Sequence, residues 1–165
     1  MSSRQVTNKN EIAILGGAGF VGSRLTARFR KGNIFSNKYD VDLSNHEDKS
    51  IYLDVEDVDS LDKLAGVSTI INLAAVHRDD VRPLSRYDDV NVLGAKNVCE
   101  SARKHGVQKI IFTSSVAIYG FAPADTDESG GANYFNDYGR TKYLAEQVYK
   151  AWQLEDPKGR PLVIV

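Results

Sequence analysis

The chain has 165 residues, a formal net charge of −1 and a pI near 6.3, so no overall basic field points to nucleic acid. Its single cysteine excludes an internal disulfide and suits a reducing, cytoplasmic compartment, and no apolar run approaches the ~18 residues of a membrane-spanning helix. This length fits one domain burying roughly 70% of its unfolded surface.

The polar stretch 1–10 lacks an apolar signal core and reads as a flexible tail, leaving 11–165 as a single domain. A first strand is expected at about 11–16, built on Ile12, Ala13, Ile14 and Leu15. Glycines follow at Gly16, Gly19 and Gly22, and a helical pattern runs over about 20–31 to a stop at Gly32. A strand, a G-x-x-G-x-x-G turn and a helix opening directly from it form a dinucleotide cradle. The glycines let backbone N–H groups approach a pyrophosphate, and the helix N-terminus adds a positive dipole end. The residues assigned to this contact are Gly16, Gly19, Phe20, Val21 and Gly22.

Further strands are expected near 38–42, 50–54 and 68–74, with a weak helix around 58–64. A long helix over about 87–104 ends with Arg103, Lys104 and His105, which favour its C-terminal dipole, and stops at Gly106. On it, Cys99 shares an apolar stripe with Val92, Ala95, Val98 and Ala102, which makes it a core thiol. Strand 5 is expected at 108–114, a loop next to the site at 121–136, a helix from Tyr138 to about 153, and a sixth strand from about 161. Alternating strands and helices imply an α/β fold: a doubly wound parallel sheet with helices on both faces, of the Rossmann type.

Two positions carry acid–base chemistry. Tyr138 and Lys142 form Y-x-x-x-K and share one helix face. A neighbouring ammonium favours the phenolate, so a phenol of reference pKa about 10 becomes a usable base. A serine of Thr113-Ser114-Ser115, at the end of an apolar strand, can hold the substrate oxygen. Strand alternation sends Ser114 and Ser115 opposite ways, so only one faces the site. Either of two acids after strand 2, Asp40 or Asp42, can accept hydrogen bonds from a ribose. Asp42 is preferred, being about 20 residues beyond Gly22 and after Val41. A carboxylate there repels a 2′-phosphate, which favours NAD over NADP. No metal site is read from the sequence.

The motifs G-x-x-G-x-x-G, Asn72-Leu73-Ala74-Ala75, Thr113 to Gly120 and Tyr138-Gly139-Arg140-Thr141-Lys142 stand in an order that resembles the extended short-chain dehydrogenase/reductase family. Within it the match is to the NAD-dependent nucleotide-sugar epimerase/dehydratase group, over 11–165. The resemblance implies NAD as cofactor and a nucleotide sugar as substrate. It assigns Ser115, Tyr138 and Lys142 to catalysis, with Tyr138 and Lys142 also touching the cofactor. It sets Asp54 and Val55 against the adenine, and Leu73, Ala74 and Ala75 along the cofactor. Asn91 is either near the nicotinamide or a helix cap, and His77 is either near the pyrophosphate or a surface histidine. Dehydratases of the group carry an acidic pair where this chain has Val116 and Ala117, so epimerase or simple oxidoreductase chemistry is expected. A one-way sugar reductase or dehydrogenase, and a non-catalytic nucleotide-binding module, remain as alternatives. Family members are longer, so the chain is expected to be the cofactor-binding half, ending before the C-terminal substrate-binding part. A homodimer through the 87–104 and 138–153 helices is expected, because Leu144, Ala145, Val148, Tyr149 and Trp152 exceed one buried face.

Overall fold

The computed structural model describes residues 11–44 and 49–165; the tail expected at 1–10 lies outside them. Six strands form one parallel sheet: β1 (Glu11–Leu15), β2 (Ser36–Asp40), β3 (Ile51–Tyr52), β4 (Val67–Asn72), β5 (Lys109–Phe112) and β6 (Leu162–Ile164). Their spatial order is β3-β2-β1-β4-β5-β6. The chain leaves β1 for β2 on one side and returns to β4 on the other. That reversal opens a crevice at the carboxyl ends of β1 and β4.

The helices are α1 (Phe20–Lys31), α2 (Ser85–Tyr87), α3 (Gly94–His105) and α4 (Asp137–Leu154). A π-helical segment, Asp88–Leu93, joins α2 to α3, so the helix expected over 87–104 is continuous but locally widened. It ends as expected, with Gly106 left-handed at φ 68°. The weak helix around 58–64 is a short 3₁₀ turn, Ser60–Leu64.

Register places Ala13, Ile70 and Ile110 in one row across the sheet, and Leu15, Asn72 and Phe112 in the next. Their side chains form one face, and α3, α4 and the Ser60–Leu64 turn close over it. Cys99 is buried in this core, which pushes its thiol up to about 12. The opposite face, carrying Ile14 and Ile71, includes the crossover through α1.

Strand β2 starts and ends two residues before its expected bounds. Ser36 and Asn37 pair with Ile12 and Ala13, and Lys38 and Tyr39 are buried against the central strand. Pairing with β1 overrides the poor strand propensity of this polar segment. A second difference concerns α4. Ala145, Tyr149 and Trp152 were among its apolar surplus, yet all three are fully buried within the chain. The Tyr149 ring packs on Phe112 at 4.6 Å, and its hydroxyl accepts from Asn72 Nδ2 at 2.6 Å. Only Leu144 and Val148 of that set remain partly open.

Trp152→Glu should therefore unfold the chain rather than split a dimer. A charge and a cavity at this depth cost at least about 4 kcal/mol, enough to erase the cooperative urea transition followed by circular dichroism.

Candidate active site

The glycine turn is fixed by backbone contacts. The chain turns at Gly16 (φ +72°), where a Cβ would lie 2.8 Å from Ala74 N. A Cβ on Gly22 would lie 2.6 Å from Gly17 Cα, so Gly22 lets α1 sit directly on the turn. Gly19 differs. Its φ of −66° suits any residue, and a Cβ there would meet only Gly16 O, at 3.3 Å. Protein packing does not require glycine at 19. The space its missing side chain leaves opens into a cavity of ≈ 580 Å³.

That cavity runs along the carboxyl ends of the strands. Gly16, Gly19, Phe20, Val21 and Gly22 form one part of its wall. The first turn of α1 carries no acid, and Arg28, Arg30 and Lys31 crowd its last turn, so its N-terminal field is unopposed and favours an anion.

Asp40, not the preferred Asp42, faces this turn. Because β2 ends at residue 40, Asp40 lies at the strand's carboxyl end on the cavity wall. Its Oδ2 accepts from Ala18 N at 2.9 Å and its Oδ1 from Asp42 N at 3.1 Å. Asp42 lies outside the cavity wall, and its carboxylate accepts from Ser44 N at 2.9 Å. Those Ser44 hydrogen bonds hold its pKa below the usual carboxylate value. Asp54 and Val55 follow β3 on the same wall, as do Leu73, Ala74, Ala75 and His77 after β4.

Asn91 departs from both of its readings. It is buried in the π segment, off the cavity wall, and caps no helix. Its Oδ1 accepts from Val76 N at 2.8 Å, and its Nδ2 donates to Val76 O and to Thr141 Oγ1 at 2.9 and 3.0 Å. The side chain ties the exit of β4 to α4. Sequence reasoning missed a neighbouring pair, Glu56 and Arg86, which meet in a two-pronged ion pair at 2.6 and 2.8 Å on the wall. The residues are 30 apart, and no local spacing announces them.

The acid–base residues sit on α4 and the exit of β5. Asn136 caps α4, its Oδ1 accepting from Gly139 N at 2.8 Å. Arg140 grips Asp88 with two bonds, at 2.9 and 2.6 Å. Tyr138 and Lys142 line the cavity with Thr113 and Ser114. Lys142 is 3% exposed. Its ammonium donates to the Thr113 carbonyl and lies 4.2 Å from the centre of the Phe112 ring. Burial pulls its pKa from 10.5 down to about 8.

The two serines diverge as strand alternation requires. Ser114 Oγ donates to Glu146 Oε1 at 2.5 Å, whereas Ser115 Oγ accepts from Ala117 N at 3.1 Å, capping the 3₁₀ turn Val116–Ile118. Ser115 is not on the cavity wall. Among the described residues nothing takes its hydroxyl proton, which leaves it able to donate to an oxygen.

The cavity thus joins an anion-binding helix end, a carboxylate beside it, small residues along one wall and a Tyr–Lys pair. An elongated dinucleotide fits that series, and the unfilled space at Gly19 is where its closest backbone approach belongs.

The sequence model of the NAD dependent epimerase/dehydratase family matches residues 12–164. The N-acetyl-alpha-D-glucosaminyl-diphospho-ditrans,octacis-undecaprenol 4-epimerase of Escherichia coli O157:H7 is 41% identical over 162 residues, covering 94% of this chain and 47% of that protein. A putative UDP-glucose 4-epimerase of Methanocaldococcus jannaschii is 33% identical over 157 residues, covering 86% and 50%. Among solved structures, the UDP-glucose 4-epimerase of Brucella ovis in complex with NAD superposes with a TM-score of 0.83 at 25% identity, over 94% of this chain and 51% of that one. The chain spans about half the length of the relatives it matches.

Two outcomes follow from the glycines and from Lys142. Gly19→Ala should keep the melting temperature within a few degrees yet weaken dinucleotide binding at least about tenfold by calorimetry, whereas Gly22→Ala should cost about 2 kcal/mol or more of stability. Lys142→Met should stabilise the ligand-free chain at pH 7 by about 2 kcal/mol, because burying the ammonium opposes folding while both states are protonated. Between pH 8 and 10.5 the unfolded chain keeps the Lys142 proton and the folded chain loses it, so wild-type stability rises. The gap between the two proteins in urea titrations should close over that window.

Proposed function

The chain belongs to the NAD-dependent epimerase/dehydratase family, and we propose that it forms the NAD-binding, acid–base half of a 4-epimerase-like oxidoreductase acting on a sugar diphosphate. One observation carries this reading: Tyr138 and Lys142 share a single cavity with Gly19, the α1 N-terminus and Asp40. A binding module needs the glycine end alone. A proton-transfer pair at the other end of the same space serves a reaction.

NAD, when bound, supplies a hydride acceptor and returns the hydride. The chain's residues do the rest. Backbone N–H groups at the start of α1 hold the pyrophosphate, and Asp40 accepts from the ribose hydroxyls and opposes a 2′-phosphate. Asp54 and Val55 meet the adenine. Lys142 favours the Tyr138 phenolate, which takes the proton of a sugar hydroxyl. Ser114 lines the cavity but gives its proton to Glu146. Ser115, off the dinucleotide cavity with its hydroxyl proton uncommitted, is the serine left to donate to the sugar oxygen. After the keto-sugar turns over, Tyr138 returns the proton. Val116 and Ala117 offer no acid for eliminating water, which argues for epimerisation over dehydration. A one-way reductase is the alternative, and it would consume NAD(H) at each turnover.

The relatives' substrates share a sugar joined to a diphosphate, carried on a nucleoside in one and on a polyprenol in the other. A nucleotide sugar is the first reading. The 41% identity to the polyprenol-linked enzyme supports the lipid carrier as the second. We also read the chain as one subunit of a homodimer through α3 and α4. Leu93, exposed at the end of the π segment that leads into α3, and the half-buried Leu144 would form the contact in place of the buried Trp152.

Calorimetry should show NAD bound in preference to NADP, and Asp40→Asn should narrow that preference about tenfold while Asp42→Asn leaves it unchanged. Tyr138→Phe should keep NAD affinity within about twofold. In a protein extended to the relatives' length it should lower 4-epimerisation at least about 100-fold. Retained turnover would exclude the proposed base.

A further inference from the structure

Glu146 belongs to none of the motifs, yet it lies beneath the site. It is on α4, one turn after Lys142 and one turn before Lys150, and is only 6% exposed. A carboxylate at that depth must have its lost hydration replaced. Ser114 Oγ donates to its Oε1 at 2.5 Å, and Lys150 Nζ donates to its Oε2 at 3.0 Å. On the other side of the turn, the Lys142 ammonium meets only neutral groups at its head, the Thr113 carbonyl and the Phe112 ring.

The charges around this group are few. On α4 they are Glu146 and Lys150, the Asp137–Arg140 ion pair of its first turn, and the titratable Tyr138 one turn before Lys142. The exit of β5, the Val116–Ile118 turn and β6 bring no ionised side chain. Asp88 of the π segment is engaged by Arg140, and Glu155 by Arg103 and Arg160. Cys99 and Tyr149 stay neutral in the core, because burial raises both. Glu146, one turn along the same helix, is the one carboxylate among these groups not held by an arginine, and it adds to the Thr113 carbonyl and the Phe112 ring in favouring the charged lysine.

We propose that Glu146 is a positioning residue of the acid–base site: its carboxylate is the buried counter-charge of the Lys142 ammonium, and through Ser114 it fixes the β5 exit that presents Thr113 and Ser115. The consequence for catalysis rests on the reading of Tyr138 and Lys142 given above. A charged Lys142 is what makes Tyr138 acidic, so Glu146 sets the pH above which that support is lost. Lys150 tempers the effect from the solvent side.

The test is the titration of Lys142 Nζ in the ¹⁵N-lysine-labelled chain, followed by NMR and assigned with Lys142→Arg. Glu146→Gln keeps an acceptor for Ser114 but removes the charge, and should lower the Lys142 midpoint by about one pH unit. Glu146→Asp should restore most of that shift. Ser114→Ala keeps the charge and should leave the midpoint within a few tenths of a unit. Lys150→Met removes a half-exposed ammonium and leaves Ser114 to hold Glu146, and should raise the midpoint, so it carries the test if Glu146→Gln fails to fold. An unmoved midpoint in Glu146→Gln, or equal shifts in Glu146→Gln and Ser114→Ala, would overturn the counter-charge role. So would an unmoved midpoint in Lys150→Met if that variant stands alone. In a turnover-competent protein the alkaline limb of the pH–rate profile should move down with the midpoint. The NMR titration needs no cofactor, so a chain that fails to bind NAD refutes the functional reading and leaves this one standing.

Discussion

Backbone-on-backbone contact at the end of β1 is the constraint on which the site depends. With no Cβ at Gly16 or Gly22, the turn lies against the exit of β4 and α1 lies against the turn. Gly17 N donates to Tyr39 O at 3.0 Å, and Ala18 N donates to Asp40. One short segment therefore touches both neighbours of β1. It aims α1 at the crevice, sets Asp40 beside it, and keeps the β4 exit within reach. An extra methyl at either glycine would move three elements at once.

The other end of the cavity is built by polar contacts rather than apolar ones. Asn91 bonds Val76 and Thr141, Arg140 bonds Asp88, and Lys142 bonds Thr113. Arg140, Thr141 and Lys142 bring these contacts to the first turns of α4, while Ala145, Tyr149 and Trp152 bind the later turns of the same helix to the core. The buried ammonium opposes folding and is held by that core. Local destabilisation at a site, supported by packing elsewhere, is the expected relation between the two.

Much of this was legible in the sequence. The strand–helix alternation, the glycine turn, the Gly106 stop and the Tyr138–Lys142 helix all depend on short-range patterns, and all were found in place. The errors have physical sources. Asp42 looked better than Asp40 because β2 reads as a poor strand, and only the pairing of Tyr39 with Leu15 and of Asp40 with Tyr52 fixes where it ends. Asn91 looked, from the family resemblance, like a cofactor-side residue or a cap, and the π segment that sets it between Val76 and Thr141 leaves no periodic trace. Trp152 looked outward because helical periodicity counts apolar residues without knowing the width of the groove between α3 and β5. Glu56 and Arg86 are joined by the fold alone.

The sheet order also governs how the chain reaches its structure during synthesis. The central strand is made first, and one of its neighbours, β4, is made only after two further strands. At ribosomal rates the stretch from Leu15 to its partner Asn72 takes on the order of 3 to 10 s to appear. For that interval Ile12, Ile14 and their backbone groups have an open edge, in a fold whose pairings are long-range and slow to close. The reversal that creates the cofactor crevice thus leaves one edge of the central strand unpaired until β4 has been made.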